Sequence, residues 1–95
     1  MMCIIGENLP SQLAGWLSHW LIEVQPQVYV GVVSARVRDQ LLQLVRSQLA
    51  KGGGATAVYP ARNEQGVMIK TYGATTQHVV DLDGVLLMAK RTQLL

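Results

Sequence analysis

Apolar residues recur at intervals of three and four in two stretches of this chain, and the segments between are β-branched, alternating or broken by glycine. Leu13, Trp16, Leu17, Trp20, Leu21 and Val24 make the first series. That spacing lines one face of an amphipathic helix. Pro10 sits where a helix can begin, and Pro26 stops it. The expectation is a helix of about 15 residues, roughly 22 Å long. Val37, Leu41, Leu44, Val45 and Leu49 make the second series. Ser34 is its N-cap, Lys51 lies in its last turn, and Gly52, Gly53 and Gly54 end it. These glycines are not a phosphate loop, because no strand–loop–helix order surrounds them and no Lys-Ser/Thr follows.

The remaining apolar runs read as strands. Cys3 to Ile5 is a first strand of about four residues, closed by a turn at Gly6-Glu7-Asn8. Val28 to Val33 is rich in β-branched residues. Ala55 to Tyr59 is ended by Pro60, and Val67 to Tyr72 alternates before Gly73. The alternation leaves open which face of that strand meets the core. Asp81-Leu82-Asp83-Gly84 is a turn before a last strand, Val85 to Ala89. Residues 75 to 83 carry little helix or strand signal and read as an arm. Two helices on one face of a mostly antiparallel sheet predict an α+β, ferredoxin-like sandwich with an extra C-terminal strand. The run Val85, Leu86, Leu87 and Met88 is a sticky edge if unpaired, so a partner strand is expected, by preference an intermolecular one.

With 95 residues, the chain predicts one domain over 1–95, its segment 75–95 being the arm and tail strand. Apolar types are 49% of the residues and charged types 15%. So few charges suggest that a partner covers part of the exterior. Cys3 is the single cysteine, which excludes an intrachain disulfide and a thiolate zinc cluster. No basic leader and no run of 18 apolar residues is present, so a cytoplasmic protein with no membrane partner is expected. The net charge of +2 says little by itself, but Arg36, Arg38, Arg46 and Lys51 crowd one region with Asp39 as its only acid. Arg36 and Arg38 fall in the first turn after Ser34, where the helix dipole disfavours cations. Phosphate binding accounts for that placement; ordinary helix design argues against it.

Several stretches, taken in order, resemble a known family. They are Glu7-Asn8-Leu9-Pro10, Trp20-Leu21-Ile22-Glu23-Val24, Val28-Tyr29-Val30-Gly31 and Ser34-Ala35-Arg36-Val37-Arg38. Gly66, Thr71-Tyr72-Gly73 and Val80-Asp81-Leu82-Asp83-Gly84 follow. The chain resembles the small CRISPR-associated protein that forms the central dimer of the spacer-acquisition complex, in the subtype accompanying the Cascade surveillance complex. The resemblance implies a ferredoxin-like homodimer that bridges integrase subunits and lies across the double-stranded spacer DNA, touching its backbone. It implies integrase docking through the tail, roughly residues 80 to 95, with Val85, Leu86, Leu87 and Met88 at its centre. A basic residue at the position of Arg36 contacts DNA in the family. Cationic positions in the first helix and the arm are neutral here: Gln12, Ala14, Thr76 and Gln77 stand there. Gln12, Thr76 and Gln77 still offer hydrogen bonds to phosphate, without counterion release. Arg38, Arg62, Lys70 and His78 are the further nucleic-acid candidates.

Catalysis has one candidate. Many family members carry an aspartate at the end of the first strand and act as metal-dependent nucleases; this chain has Gly6-Glu7-Asn8. Two Glu7 carboxylates meeting in a dimer would share a divalent ion such as magnesium through water. The rival to the adaptor is thus a metal-dependent endonuclease of single-stranded RNA or double-stranded DNA, with Glu7 both catalytic and metal-binding. The adaptor role itself requires no cofactor. Without phenylalanine the chain lacks the exposed aromatic strands of an RNA-recognition sheet, and no ligand loop marks it as a regulatory dimer. Trp16 and Trp20 read as core or interface packing, Tyr29 and Tyr59 as packing residues, and Cys3 as a small buried hydrophobe.

Overall fold

A computed structural model describes residues 1–90; the end of the tail reading, 91–95, lies outside the described residues. The elements are β1 (Met2–Glu7), α1 (Ser11–Trp20), β2 (Ile22–Gln25), β3 (Val28–Gly31), α2 (Ala35–Gln48), β4 (Gly54–Pro60), β5 (Val67–Gly73), β6 (Gln77–Leu82) and β7 (Val85–Lys90). The first five strands form one sheet in the order β2-β3-β1-β4-β5, and every neighbouring pair is antiparallel. This is the ferredoxin-like β-α-β-β-α-β arrangement with β5 added beside β4.

The first helix is shorter than the periodicity predicts. It ends at Trp20, Leu21 is already extended (φ −127°, ψ 159°), and Ile22–Gln25 is a strand. The β-branched Ile22 and Val24 favour a strand once Leu21 has closed the core face. Pro26 and Gln27 make the hairpin turn, with Gln27 at φ 63°. Gln27 is held there: its N–H donates to Glu23 Oε2 (2.9 Å), and its Oε1 accepts from the Leu9 N–H (2.8 Å). The fold needs this second strand, and the helical reading of residues 22–24 had concealed it.

Both helices pack on one face of the sheet. Met2, Ile4, Tyr29, Ala55, Ala57 and Tyr59 rise from the strands to meet Leu13, Leu17, Leu21, Leu41, Leu42 and Val45. Burial and the neighbouring Glu23 carboxylate raise the Tyr29 phenol above its ordinary pKa. In β5 the face that meets the core carries Met68 and Tyr72. Trp16 and Trp20 are 54% and 52% exposed, so neither is a core residue of the chain. They ride the rim of the apolar stripe, whose centre is Leu13, Leu17 and Leu21.

The arm is also structured. Residues 77–82 form β6, which pairs antiparallel with β7 in a separate two-stranded sheet. The tail strand therefore finds a partner in its own chain, where an intermolecular one was expected. Asp81 makes the turn between them: its Oδ1 accepts from the Gly84 N–H (2.7 Å), with Asp83 at φ 53°.

Candidate nucleic-acid interface

Ser34 caps α2, its Oγ accepting from the Val37 N–H (3.2 Å), and no acid occupies the first turn. Arg36 follows immediately. It is exposed, and it lines a shallow surface hollow with Asp39, Gln40 and Gln43. Among the described residues it has no ion pair. Free N–H groups, the positive end of the helix dipole and an uncommitted guanidinium together form an anion-attracting corner.

Arg38 points elsewhere. Its Nε donates to Asp39 Oδ1 (3.1 Å), and its guanidinium lies 4.6 Å from the centre of the Tyr59 ring. The sequence had set Arg36 and Arg38 together as one cationic turn. The helix separates them, because two residues rotate about 200°. Lys70 projects over the same Tyr59 ring at 6.0 Å. Its β5 neighbour Tyr72 feels Lys70 and Arg46, which pull its phenol pKa down, against a larger upward push from burial.

The other candidates are scattered. Gln12 lies at the start of α1 beside Leu13, Trp16, Leu44 and Gln48. Arg62 is exposed on the β4–β5 turn. Gln77 and His78 open β6; Gln77 is exposed, while the His78 Nδ1 is buried with no hydrogen-bond partner among the described residues. Arg38 and Lys70 are therefore brought together, and Arg36, Gln12, Arg62, Gln77 and His78 stand apart from them.

Glu7 ends β1 and is engaged. Both carboxylate oxygens accept from the Thr76 N–H at 3.1 Å, and the Thr76 hydroxyl donates to Oε1. The junction is tight because glycines line it. A Cβ on Gly54 would lie 2.5 Å from the Ala74 carbonyl oxygen, and one on Gly73 would lie 2.4 Å from that of Gly53. The ends of β1 and β5 and the start of β4 thus meet at one point, and Glu7 ties the root of the β6–β7 hairpin there. Among the described residues no group of three His, Cys, Asp or Glu side chains is placed to hold a metal.

A second clip holds the hairpin. Gln65 Nε2 donates to the Leu86 carbonyl (3.2 Å), and Gln65 Oε1 accepts from the Leu86 N–H (2.7 Å). Between the clips, Ile5, Thr56, Val58, Ile69 and Met88 line an apolar groove of about 540 Å³. Val85, Leu87 and Met88 remain exposed, and Leu86 is half-buried. No local sequence signal marks Thr76 or Gln65, because each acts on a residue distant along the chain.

The face of the five-stranded sheet opposite the helices carries no helix, and the β6–β7 hairpin reaches part of it through Met88. Ile22, Val30, Cys3, Val58 and Ile69 form a continuous cross-strand row, and Val28, Ile5, Thr56 and Thr71 form the next. Cys3 is half-buried in this face, and burial raises its thiol pKa. No helix among the described residues is long and apolar enough to cross a membrane. A protein-family model described as CRISPR-associated protein (Cas_Cas2CT1978) matches residues 1–87.

Proposed function

The chain belongs to this CRISPR-associated Cas2 family, and we propose that it serves there as the homodimeric adaptor of spacer acquisition. It binds the backbone of the double-stranded spacer DNA and bridges integrase subunits. The observation that carries the reading is a set of separate surfaces of different chemistry among the described residues. An apolar sheet face, a cationic helix start and a clipped hairpin are carried by different elements. Bridging requires several surfaces, whereas catalysis requires convergence of groups on one reacting atom.

Each surface fits one partner by its chemistry. The apolar row through Ile22, Val30, Cys3, Val58 and Ile69 suits a second copy, because a two-fold contact brings the same apolar patch from both sides. Arg36 suits a phosphate, with Gln12, Arg62, Gln77 and His78 as outlying contacts. The exposed Val85, Leu87 and Met88 of β7, with Leu86 held by Gln65, suit an integrase surface that adds to this hairpin. None of these contacts calls for a cofactor, and the setting is cytoplasmic.

The endonuclease reading has one observation in its favour. Glu7 borders the groove on the sheet face opposite the helices, lined also by Ile5, Thr56 and Val58. A dimer through that face would bring two Glu7 carboxylates nearer, where a magnesium ion would need them. One assay separates the readings. The protein is mixed with its integrase and a spacer-length duplex, and joining to a repeat-bearing plasmid is measured. The adaptor reading expects joining that requires this protein and survives Glu7→Gln. Joining indifferent to the protein sinks it. Metal-dependent cleavage of DNA or RNA by the protein alone, lost in Glu7→Gln with the dimer intact, would establish the nuclease.

A further inference from the structure

Four of the eight Lys and Arg residues lie along the line where α2 meets β5. Arg38 and Lys70 flank the Tyr59 ring at 4.6 and 6.0 Å. Arg46, in the last turn of α2, acts on Tyr72. Beyond it, a hollow of about 520 Å³ is lined by Arg46, Lys51 and Tyr72. Leu49 of the segment after α2 lies close to Gly73 at the end of β5, so helix and strand run the same way. The cations therefore follow one another along the groove. Arg38 and Arg46 are eight residues apart, a helical rise of about 12 Å. One DNA strand advances over about three to four phosphates in that distance.

Among the described residues Asp39 is the acid beside this line, and it is already paired with Arg38. Among the described residues Lys70, Arg46 and Lys51 have no ion pair. Two cations over one tyrosine ring repel each other, and the arrangement is improved by an anion that both can reach. The negative end of the α2 dipole accounts for a cation at Arg46 or Lys51. It does not account for Lys70 on a strand or Arg38 near the other end of the helix. Tyr59 is buried and capped by Arg38 and Tyr72 is half-buried, so the surface offers charge and no fully exposed ring for stacking bases. Charge spread along one line without stacking suits the outside of a duplex better than a single strand.

We propose that the α2–β5 groove is a second backbone-binding track for double-stranded DNA, carried by Arg46, Lys51 and Lys70, with Arg38 fixed at its head. It rests on the DNA-binding reading above but lies on a different side of α2 from Arg36. It supplies cationic contacts that neutral Gln12, Thr76 and Gln77 do not.

The test is binding of the intact protein to a spacer-length duplex across a salt series. The variants are the triple Arg46→Ala/Lys51→Ala/Lys70→Ala, the single Lys70→Glu, Arg36→Ala, and Lys90→Ala as an off-track control. Circular dichroism checks the fold of each. Each lost phosphate contact lowers the slope of log affinity against log salt by about one. The triple variant is expected to lose about three per protomer and to bind about tenfold or more weakly, equally for unrelated sequences. Lys70→Glu should act in the same direction and Lys90→Ala should not. A triple variant with wild-type slope, while Arg36→Ala weakens binding, overturns the track and leaves the DNA reading standing. No salt-dependent duplex binding by the wild type overturns both. Preference for single-stranded RNA of equal length, lost in the triple variant, overturns the assignment to duplex.

Discussion

Removing the Glu7 carboxylate should release the β6–β7 hairpin while leaving the five-stranded sheet intact. Glu7 accepts two hydrogen bonds from Thr76, one from the backbone N–H shared between both oxygens and one from the hydroxyl. Bonds to a charged group contribute about 1.5–3 kcal/mol each when shielded. Thr76 is exposed, so water takes over much of that when the acceptor goes. The net cost of Glu7→Ala is then about 1–2 kcal/mol of local stability, or roughly a 5- to 30-fold rise in the open fraction of the hairpin. Native-state hydrogen exchange reads this directly. The amides that pair β6 with β7 should exchange faster by that factor, while those of β1 and β4 should not change. Glu7→Gln keeps an acceptor and should show a smaller effect. Thr76→Val should mimic Glu7→Ala, and the double variant should add little to either single. Unchanged β6–β7 exchange in Glu7→Ala refutes the junction as the hairpin's anchor.

Three further perturbations follow from the geometry. Val58→Lys sets an ammonium group in the middle of the apolar row on the sheet face opposite the helices. It should yield a folded monomer by light scattering at concentrations where the wild type is a dimer; a persisting dimer would mean that this face is not the interface. Gly54→Ala sets a methyl group 2.5 Å from the Ala74 carbonyl oxygen, a backbone atom that cannot step aside. Denaturant unfolding should show a loss of about 1–3 kcal/mol, and a neutral result would mean that the junction relaxes freely. Burial raises the Cys3 thiol pKa, so less thiolate is present at a given pH than in a free cysteine. Alkylation should be slower than for a model thiol at pH 8–9 and should speed up in Val58→Lys; equal rates in wild type and variant would separate Cys3 from the interface.

Much of this architecture was legible along the chain. The apolar spacing of Val37, Leu41 and Val45 gave the second helix, and Ser34 marked its start, because both signals are local and helical hydrogen bonds close within one turn. The fold class followed from element order, even though Ile22 to Val24 were read as helix. That error has a physical source. Trp20, Leu21 and Val24 continue a spacing of three and four, and a short edge strand next to a helix end offers no periodicity of its own to compete. The family resemblance was carried by stretches spread over most of the chain, and the family match spans residues 1–87.

The candidate surfaces divide in the same way. Residue types and the cationic start of α2 could be read from sequence, because a cap and its first turn are fixed by neighbours. The seating of Arg38 over the Tyr59 ring could not, since it depends on where that ring stands beneath the helix. Nor could the ties of Glu7 to Thr76 and of Gln65 to Leu86, which join residues 69 and 21 positions apart. Sequence by itself determined the elements whose hydrogen bonds and apolar periods are local, and through them the sandwich. Only the tertiary structure decided which strand pairs the tail, which face of β5 meets the core and which cations share a groove. Those choices belong to contacts between distant segments, which no local pattern encodes.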